Sequence, residues 1–380
     1  MKIALPYANI QACLPAMLLV AVNVTNSLGP TVQLAALLVV LAVAFPYLKI
    51  ERGLSWIGVC YLLACVVAGV MAYGVDQAVI KAGKLVFFVG ASLLTVRGAH
   101  QGNRLPALIA LRAMLVLCGL NSLAALAMGQ SVFRAGILIE FSIYSAYTLA
   151  ILIYLARPLL RIPDRLFGYG FLALCGSTTG LLVLILAELV GRKLTTRRII
   201  AATLALPVAY VALDFLMEVR GKELTLDYLL TSDRGNLFST FYQTTVPTFT
   251  PSDWLFGLGV GEPLHRFITP DPGFNGYLVR IGEGAVYSFC LHNEALRILC
   301  DFGILGLVIV GLRLWKLCPW PVLVLLGVGM MTNSYLYSFS GALLASGLFQ
   351  AKPGPAPVRR SAPVRGTPPA SSATSTPVTA

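Results

Sequence analysis

Three side chains in this chain stand out as able to do chemistry: one histidine and two arginines. His292 lies in Leu291-His292-Asn293-Glu294, where a polar stretch runs into an apolar one. Asn293 is placed to cap the helix that follows. A helix start disfavours an imidazolium, so the ring is expected to stay neutral and able to take a proton from a hydroxyl. Arg234, in Ser232-Asp233-Arg234, presents a planar, permanently charged fork that matches phosphate oxygens. Arg134 is the sole basic residue of the short loop 129–136. Each also has a plain reading. A boundary histidine can simply hydrogen-bond its own loop, and a loop arginine can simply be solvated.

Other residues qualify less directly. Lys81 and Lys84 could add positive charge toward a phosphate, although lysines at a span end more often snorkel to the interface. Gly257, Gly259 and Gly261 form a Gly-x-Gly-x-Gly run without the strand-to-helix context of a nucleotide loop. Its expected use is a tight turn that lets backbone approach neighbouring groups. Asp301 falls inside an apolar stretch and needs a partner; Arg297, one helical turn earlier, is the expected one. The sequence contains no Walker-type loop, dinucleotide fingerprint or His-x-x-x-His pair. No cofactor and no metal are therefore expected.

These residues must be positioned by helices in a membrane. The chain is 57% hydrophobic and 12% charged, and its mean hydropathy is +0.81. Runs of roughly 20 apolar residues recur, each long enough to cross a bilayer. The net charge of +12 comes from Lys and Arg in short loops between spans, a topological pattern that argues against nucleic acid as a partner. The cysteines mostly fall inside apolar runs without metal-ligand spacing, so no disulfide framework is implied. The N-terminus has no cleavable-signal pattern and is expected to be a retained first helix.

Candidate spans are 9–26, 31–48, 54–75, 78–96, 104–128, 137–156, 166–191, 197–218, 293–314 and 320–349. Two of them carry basic clusters on both sides, which a single crossing would place on opposite faces. Their centres, Cys175-Gly176-Ser177-Thr178-Thr179-Gly180 and Thr332-Asn333-Ser334-Tyr335, read as breaks. Half-length helices folded into hairpins would keep both clusters on one side, provided that the broken ends are buried in protein. The expectation is an all-α, polytopic transmembrane bundle of about 12 segments, with two broken-helix hairpins and one large external loop. The expected division is 1–218 for N-terminal membrane helices, 219–292 for the loop, 293–350 for C-terminal membrane helices and 351–380 for a disordered cytoplasmic tail. In the loop, acidic residues outnumber basic ones. A short amphipathic helix is expected within 227–241, and prolines exclude long regular structure after it.

Taken together, the motifs carry a resemblance. Arg234 after Ser-Asp, Trp254-Leu-Phe-Gly-Leu-Gly-Val-Gly261, His292-Asn293 and Gly303-Ile-Leu-Gly306 occur in the order seen in the O-antigen ligase and polymerase superfamily. Ser177-Thr-Thr-Gly180 is similar to that family's broken helix. Arg134-Ala-Gly-Ile-Leu-Ile-Glu140-Phe-Ser142 resembles a stretch of many polymerases, with Phe141 where they have proline. The resemblance covers about residues 130–345.

It implies a metal-independent glycosyltransferase in the bacterial inner membrane, multi-pass, with its active site facing the periplasm. The donor would be a polyprenyl-pyrophosphate-linked oligosaccharide and the acceptor a growing glycan or lipid A core. Membrane lipids, a chain-length regulator and a flippase would be further partners. His292 and Arg234 would be catalytic; Arg134, Arg234, Lys81 and Lys84 would bind the donor pyrophosphate. Polymerase is preferred over ligase because of the Arg134–Ser142 stretch. The opposing class is a transporter or lipid flippase, which also uses broken helices. Such a protein should place its charges near mid-membrane and show internal repeats; here the cations lie at the external boundary. A membrane scaffold would need neither His292 nor Arg234.

Overall fold

The computed structural model describes residues 7–25, 30–50, 56–74, 85, 88–89, 94–96, 104–132, 138–139, 142–175, 183, 185–186, 233–264, 267, 275–276, 278–279, 284–332, 338–346 and 348–349. The helices among them are α1 (Tyr7–Val24), α2 (Pro30–Ala44), α3 (Trp56–Tyr73), α4 (Leu105–Ala127), α5 (Ser142–Ala156) and α6 (Ile162–Leu174). Then follow α7 (Asp233–Thr240), α8 (Pro251–Phe256), α9 (Glu294–Leu317), α10 (Trp320–Thr332) and α11 (Phe339–Ala345).

Three of them, α3, α4 and α9, are long and apolar enough to cross a membrane. The surface of α3 agrees with that reading, because Ile57 and Met71 stay 82% and 84% exposed on it. Apolar side chains left this open fit a lipid-facing surface better than a watery one. The inner core joins α1, α4, α5, α9, α10 and α11 through Leu18, Leu111, Tyr147, Phe302, Leu325 and Leu344. Polar pins fix the register. Buried Asn23 of α1 donates its Nδ2 to Ser340 Oγ of α11 at 3.1 Å, a contact with few alternatives in an apolar interior.

Several expected boundaries change. The ends of the expected spans 31–48 and 78–96 are extended, not helical: strand β1 (Leu48–Ile50) pairs antiparallel with β2 (Leu94–Val96). Residues 138–139 are also outside the helix, and Leu138 N–H donates to Asn121 Oδ1 of α4 at 2.8 Å. Span 137–156 therefore shortens to α5. Segment 320–349 is two helices, α10 and α11, with the second capped by Ser338, whose Oγ accepts from Gly341 N–H at 2.9 Å. Helix α6 stops at Leu174, directly before the expected break. Residues 176–182, 192–198, 333–337 and the tail 351–380 lie outside the described residues.

Helix α6 is tied down by charge. Asp164 accepts from Arg112 Nε at 2.9 Å and Nη2 at 3.0 Å, and from Arg161 N–H at 3.1 Å. The hydrogen-bonded guanidinium holds its carboxyl below the ordinary carboxylate range. The folded group titrates lower than the unfolded one. The stability it contributes is thus present at neutral pH and lost as pH falls through the depressed value. Asp164→Ala leaves three donors without their acceptor and should destabilise the protein by about 1–3 kcal/mol. Thermal melting in neutral detergent checks this, and an unchanged midpoint would show the pair to be idle.

Candidate functional site

The site is assembled where the loop before α9 meets the middle of that helix. Its frame begins with α8, whose N-cap Thr250 accepts from Asp253 N–H at 3.3 Å while Asp253 Oδ2 accepts from Thr250 N–H at 2.8 Å. This reciprocal pair fixes the start of a short helix. Pro251 suits its first position, and Gly257 ends it at φ 86°, ψ 170°. The chain then lies against α9, and Leu258 N–H donates to Cys300 O at 2.7 Å.

At that contact α9 is broken. Gly303 has φ 67°, ψ −169°, which splits the expected continuous span into two helical pieces. Both Gly257 and Gly303 occupy a region of backbone space that is essentially reserved for glycine. The break frees carbonyls of the preceding turn, and two of them take donors from outside the helix. Cys300 O takes the Leu258 N–H, and Phe302 O takes the Tyr61 hydroxyl of α3 at 2.8 Å. The remaining glycines of the run, Gly259 and Gly261, also have positive φ. Val260 between them packs on Gly69 of α3. The Gly-x-Gly-x-Gly turn is therefore wedged between α3 and α9, nine residues into α9, and does not lie free outside the bundle.

From the turn the chain leads back to the histidine. Leu264 N–H donates to Val286 O at 2.7 Å beside an isolated Pro263–Tyr287 bridge. A 3-10 turn, Ser288–Leu291, then delivers His292. Among the described residues His292 is the one non-glycine with positive φ, at φ 50°, ψ 22°. The left-handed conformation costs a non-glycine residue roughly 1–2 kcal/mol. It is held from both sides. Upstream, buried Ser288 Oγ donates to buried Asp301 Oδ1 at 2.6 Å. Downstream, Asn293 Oδ1 accepts from Leu296 N–H at 3.0 Å and its Nδ2 donates to Met331 O at 3.2 Å. The result is an exposed imidazole on a backbone clamped at both ends.

Asp301 also faces Arg297 across a buried i,i+4 pair, with Nε 3.8 Å from Oδ2. Its second anchor, Ser288, was not legible in sequence, because nothing marks a serine thirteen residues upstream as a partner. Tyr61 was equally hidden among the aromatic residues of α3.

Arg234 is the second residue of α7. Helix α7 runs into a π-helical turn, Phe241–Thr245, a form that often marks functional positions. It packs against the 288–291 turn, and Leu237 shares one apolar core with Phe241, Val286, Leu291, Leu296 and Cys300. Edge-on aromatic contacts from Phe241 to Phe249 (6.1 Å) and Phe249 to Trp254 (5.3 Å) join it to α8. The helix carrying Arg234, the Gly turn and the turn carrying His292 thus form one unit. Arg134, Lys81, Lys84 and His265 lie outside the described residues. Among the described residues no three His, Cys, Asp or Glu side chains converge as metal ligands. No protein-family model, curated protein or solved structure matches the chain.

Proposed function

We propose that this chain is an inner-membrane glycosyltransferase that polymerises polyprenyl-pyrophosphate-linked glycan units on the periplasmic face. The observation that carries the reading is the common core of Leu237 and Leu291. It brings the helix of a phosphate-type arginine beside a histidine held in a fixed, exposed pose. The residue order supports the same reading through its resemblance to the O-antigen ligase and polymerase superfamily.

The chemistry follows from the residue types. His292, neutral, accepts the proton of an acceptor sugar hydroxyl. The freed oxygen attacks the donor's anomeric carbon, forming the new glycosidic bond. The bond from that carbon to the phosphate oxygen breaks, and the lipid pyrophosphate departs with the electron pair. Arg234 and Arg134 neutralise the charge that develops on it. Lys81 and Lys84 add to the same field. The donor carries its own activation, so no nucleotide is consumed.

Arg234→Ala and Arg134→Ala should each lower transfer about 10²–10³-fold with normal membrane levels. Lysine at either position should restore it only in part, since an ammonium lacks the bidentate fork. Wild-type transfer by Arg134→Ala would remove that residue from the site and weaken the polymerase reading. A deletion strain tests the function as a whole. Surface glycan reduced to single attached units indicates a polymerase. Loss of all attached glycan, with lipid-linked polymer accumulating, indicates a ligase. An unchanged pattern contradicts both.

A further inference from the structure

The proposed transfer makes no use of the arginines gathered at the other candidate feature of the fold, the corner of α4, α5 and α6. Arg104 directly precedes α4, Arg157 opens the turn after α5, and Arg161 and Arg165 flank the start of α6. The three helices pack on one another. Arg104 and Arg157 both lie within electrostatic reach of Tyr154, which puts them at one end of the bundle. Arg104, Arg161 and Arg165 are exposed and Arg157 is half-buried.

The only acid between residues 157 and 175 is Asp164. It is turned inward, buried, and bonded to Arg112 and the Arg161 backbone. The outer side of the segment 157–175 therefore carries exposed Arg161 and Arg165 and no acid of that segment.

The same corner is apolar on its outside. Asp164, Gly168 and Leu172 recur every four residues and are buried. Gly168 admits Ile153 of α5, which a Cβ would meet at 2.9 Å, so α6 lies close on its neighbour. The opposite side leaves Ile162, Leu166 and Phe167 exposed at 75%, 67% and 62%. Arginines set beside an open apolar strip match the two halves of a lipid, a charged head and a greasy tail. Guanidinium forks match phosphate in particular.

We infer that the α4–α5–α6 corner is a docking surface for anionic phospholipid of the leaflet it faces. The headgroup phosphates sit on Arg104, Arg157, Arg161 and Arg165, and the acyl chains lie along Ile162, Leu166 and Phe167. Net negative charge is required, because a zwitterionic head offsets its phosphate with its own cation.

The test titrates phosphatidylglycerol or phosphatidylcholine into the purified full chain in neutral detergent and reads bound lipid by native mass spectrometry. Wild type should prefer phosphatidylglycerol by at least about 100-fold. The Arg157→Gln, Arg161→Gln, Arg165→Gln triple variant should bind phosphatidylglycerol about 100-fold more weakly and phosphatidylcholine nearly as before. Arg112 and Asp164 are untouched, so the melting temperature without anionic lipid should hold. If the triple variant does not fold, Arg165→Gln alone should show about a five-fold loss. Leu166→Ser should weaken both lipids. Equal binding of the two lipids by wild type, or undiminished phosphatidylglycerol binding by the arginine variants, would overturn the inference. Displacement of the lipid by millimolar glycerol phosphate would also overturn it, by making the corner a free-phosphate site.

Discussion

Gly303→Ala should leave little folded protein in the membrane. The residue sits at φ 67°, ψ −169°, where a Cβ is strained by roughly 1–3 kcal/mol before any contact is counted. The added Cβ would also run into Leu255 O and come within 2.5 Å of Gly257 N. Both are backbone atoms, so neither can swing aside. Gly257→Ala attacks the same contact from the other side, with its Cβ 2.7 Å from Cys300 O and Phe302 N. Each substitution should cost at least about 3 kcal/mol, and the two together should cost less than their sum because they break one interface. Gly311→Ala, on the same helix with nothing within 4 Å, should be silent. Membrane levels and melting temperatures of the three variants decide the matter. If Gly303→Ala melts like Gly311→Ala, the Gly turn is not seated in the break of α9.

His292→Ala should cost about 10²–10⁴-fold in turnover, the usual share of general base catalysis. Donor binding should change little if, as proposed, the arginines hold the pyrophosphate. Only a neutral imidazole accepts a proton, so wild-type turnover should fall as the pH is lowered and the ring protonates. The alanine variant should lose that acid limb along with its rate. Ser288→Ala removes the upstream anchor of the turn through Asp301. It should reduce turnover less than His292→Ala and keep the same pH limb, because the base remains while its pose loosens. His265→Ala, in the same loop but not at a helix start, should do far less than either. A His292→Ala variant with wild-type turnover would leave His292 a boundary residue and nothing more.

The sequence made the three helices long and apolar enough to cross a membrane legible, because twenty apolar residues in a row have few other fates. The expected count of about 12 segments is not reached among the described residues. Asn293 was legible as a cap for an equally local reason, since its side chain acts three residues away. The Arg297–Asp301 pair followed from helical spacing. What stayed hidden is long-range. Whether Gly303 breaks α9 depends on Leu258 and Tyr61 being present to take the freed carbonyls, and neither neighbours it in the chain. The Gly-x-Gly-x-Gly run announced a tight turn but not its seat between α3 and α9. The pairing of Leu48–Ile50 with Leu94–Val96 was masked by apolar residues that fit a helix end or a strand equally well. His292 could be singled out by type and place, yet its left-handed backbone and the Ser288–Asp301 anchor appear only once the loop is folded.

Arg234 and His292 are proposed to serve one transfer from a lipid-pyrophosphate donor. Its most direct measurement uses purified full-length chain, a polyprenyl-pyrophosphate oligosaccharide as donor and an acceptor glycan, with chelator present and no nucleotide. The products are resolved by length and the lipid pyrophosphate is quantified. Wild type should lengthen the acceptor and release one lipid pyrophosphate per glycosidic bond, and His292→Ala and Arg234→Ala should do so at least about 100-fold more slowly. Absence of transfer until a nucleotide or metal is supplied, or full-rate transfer by either variant, would contradict it.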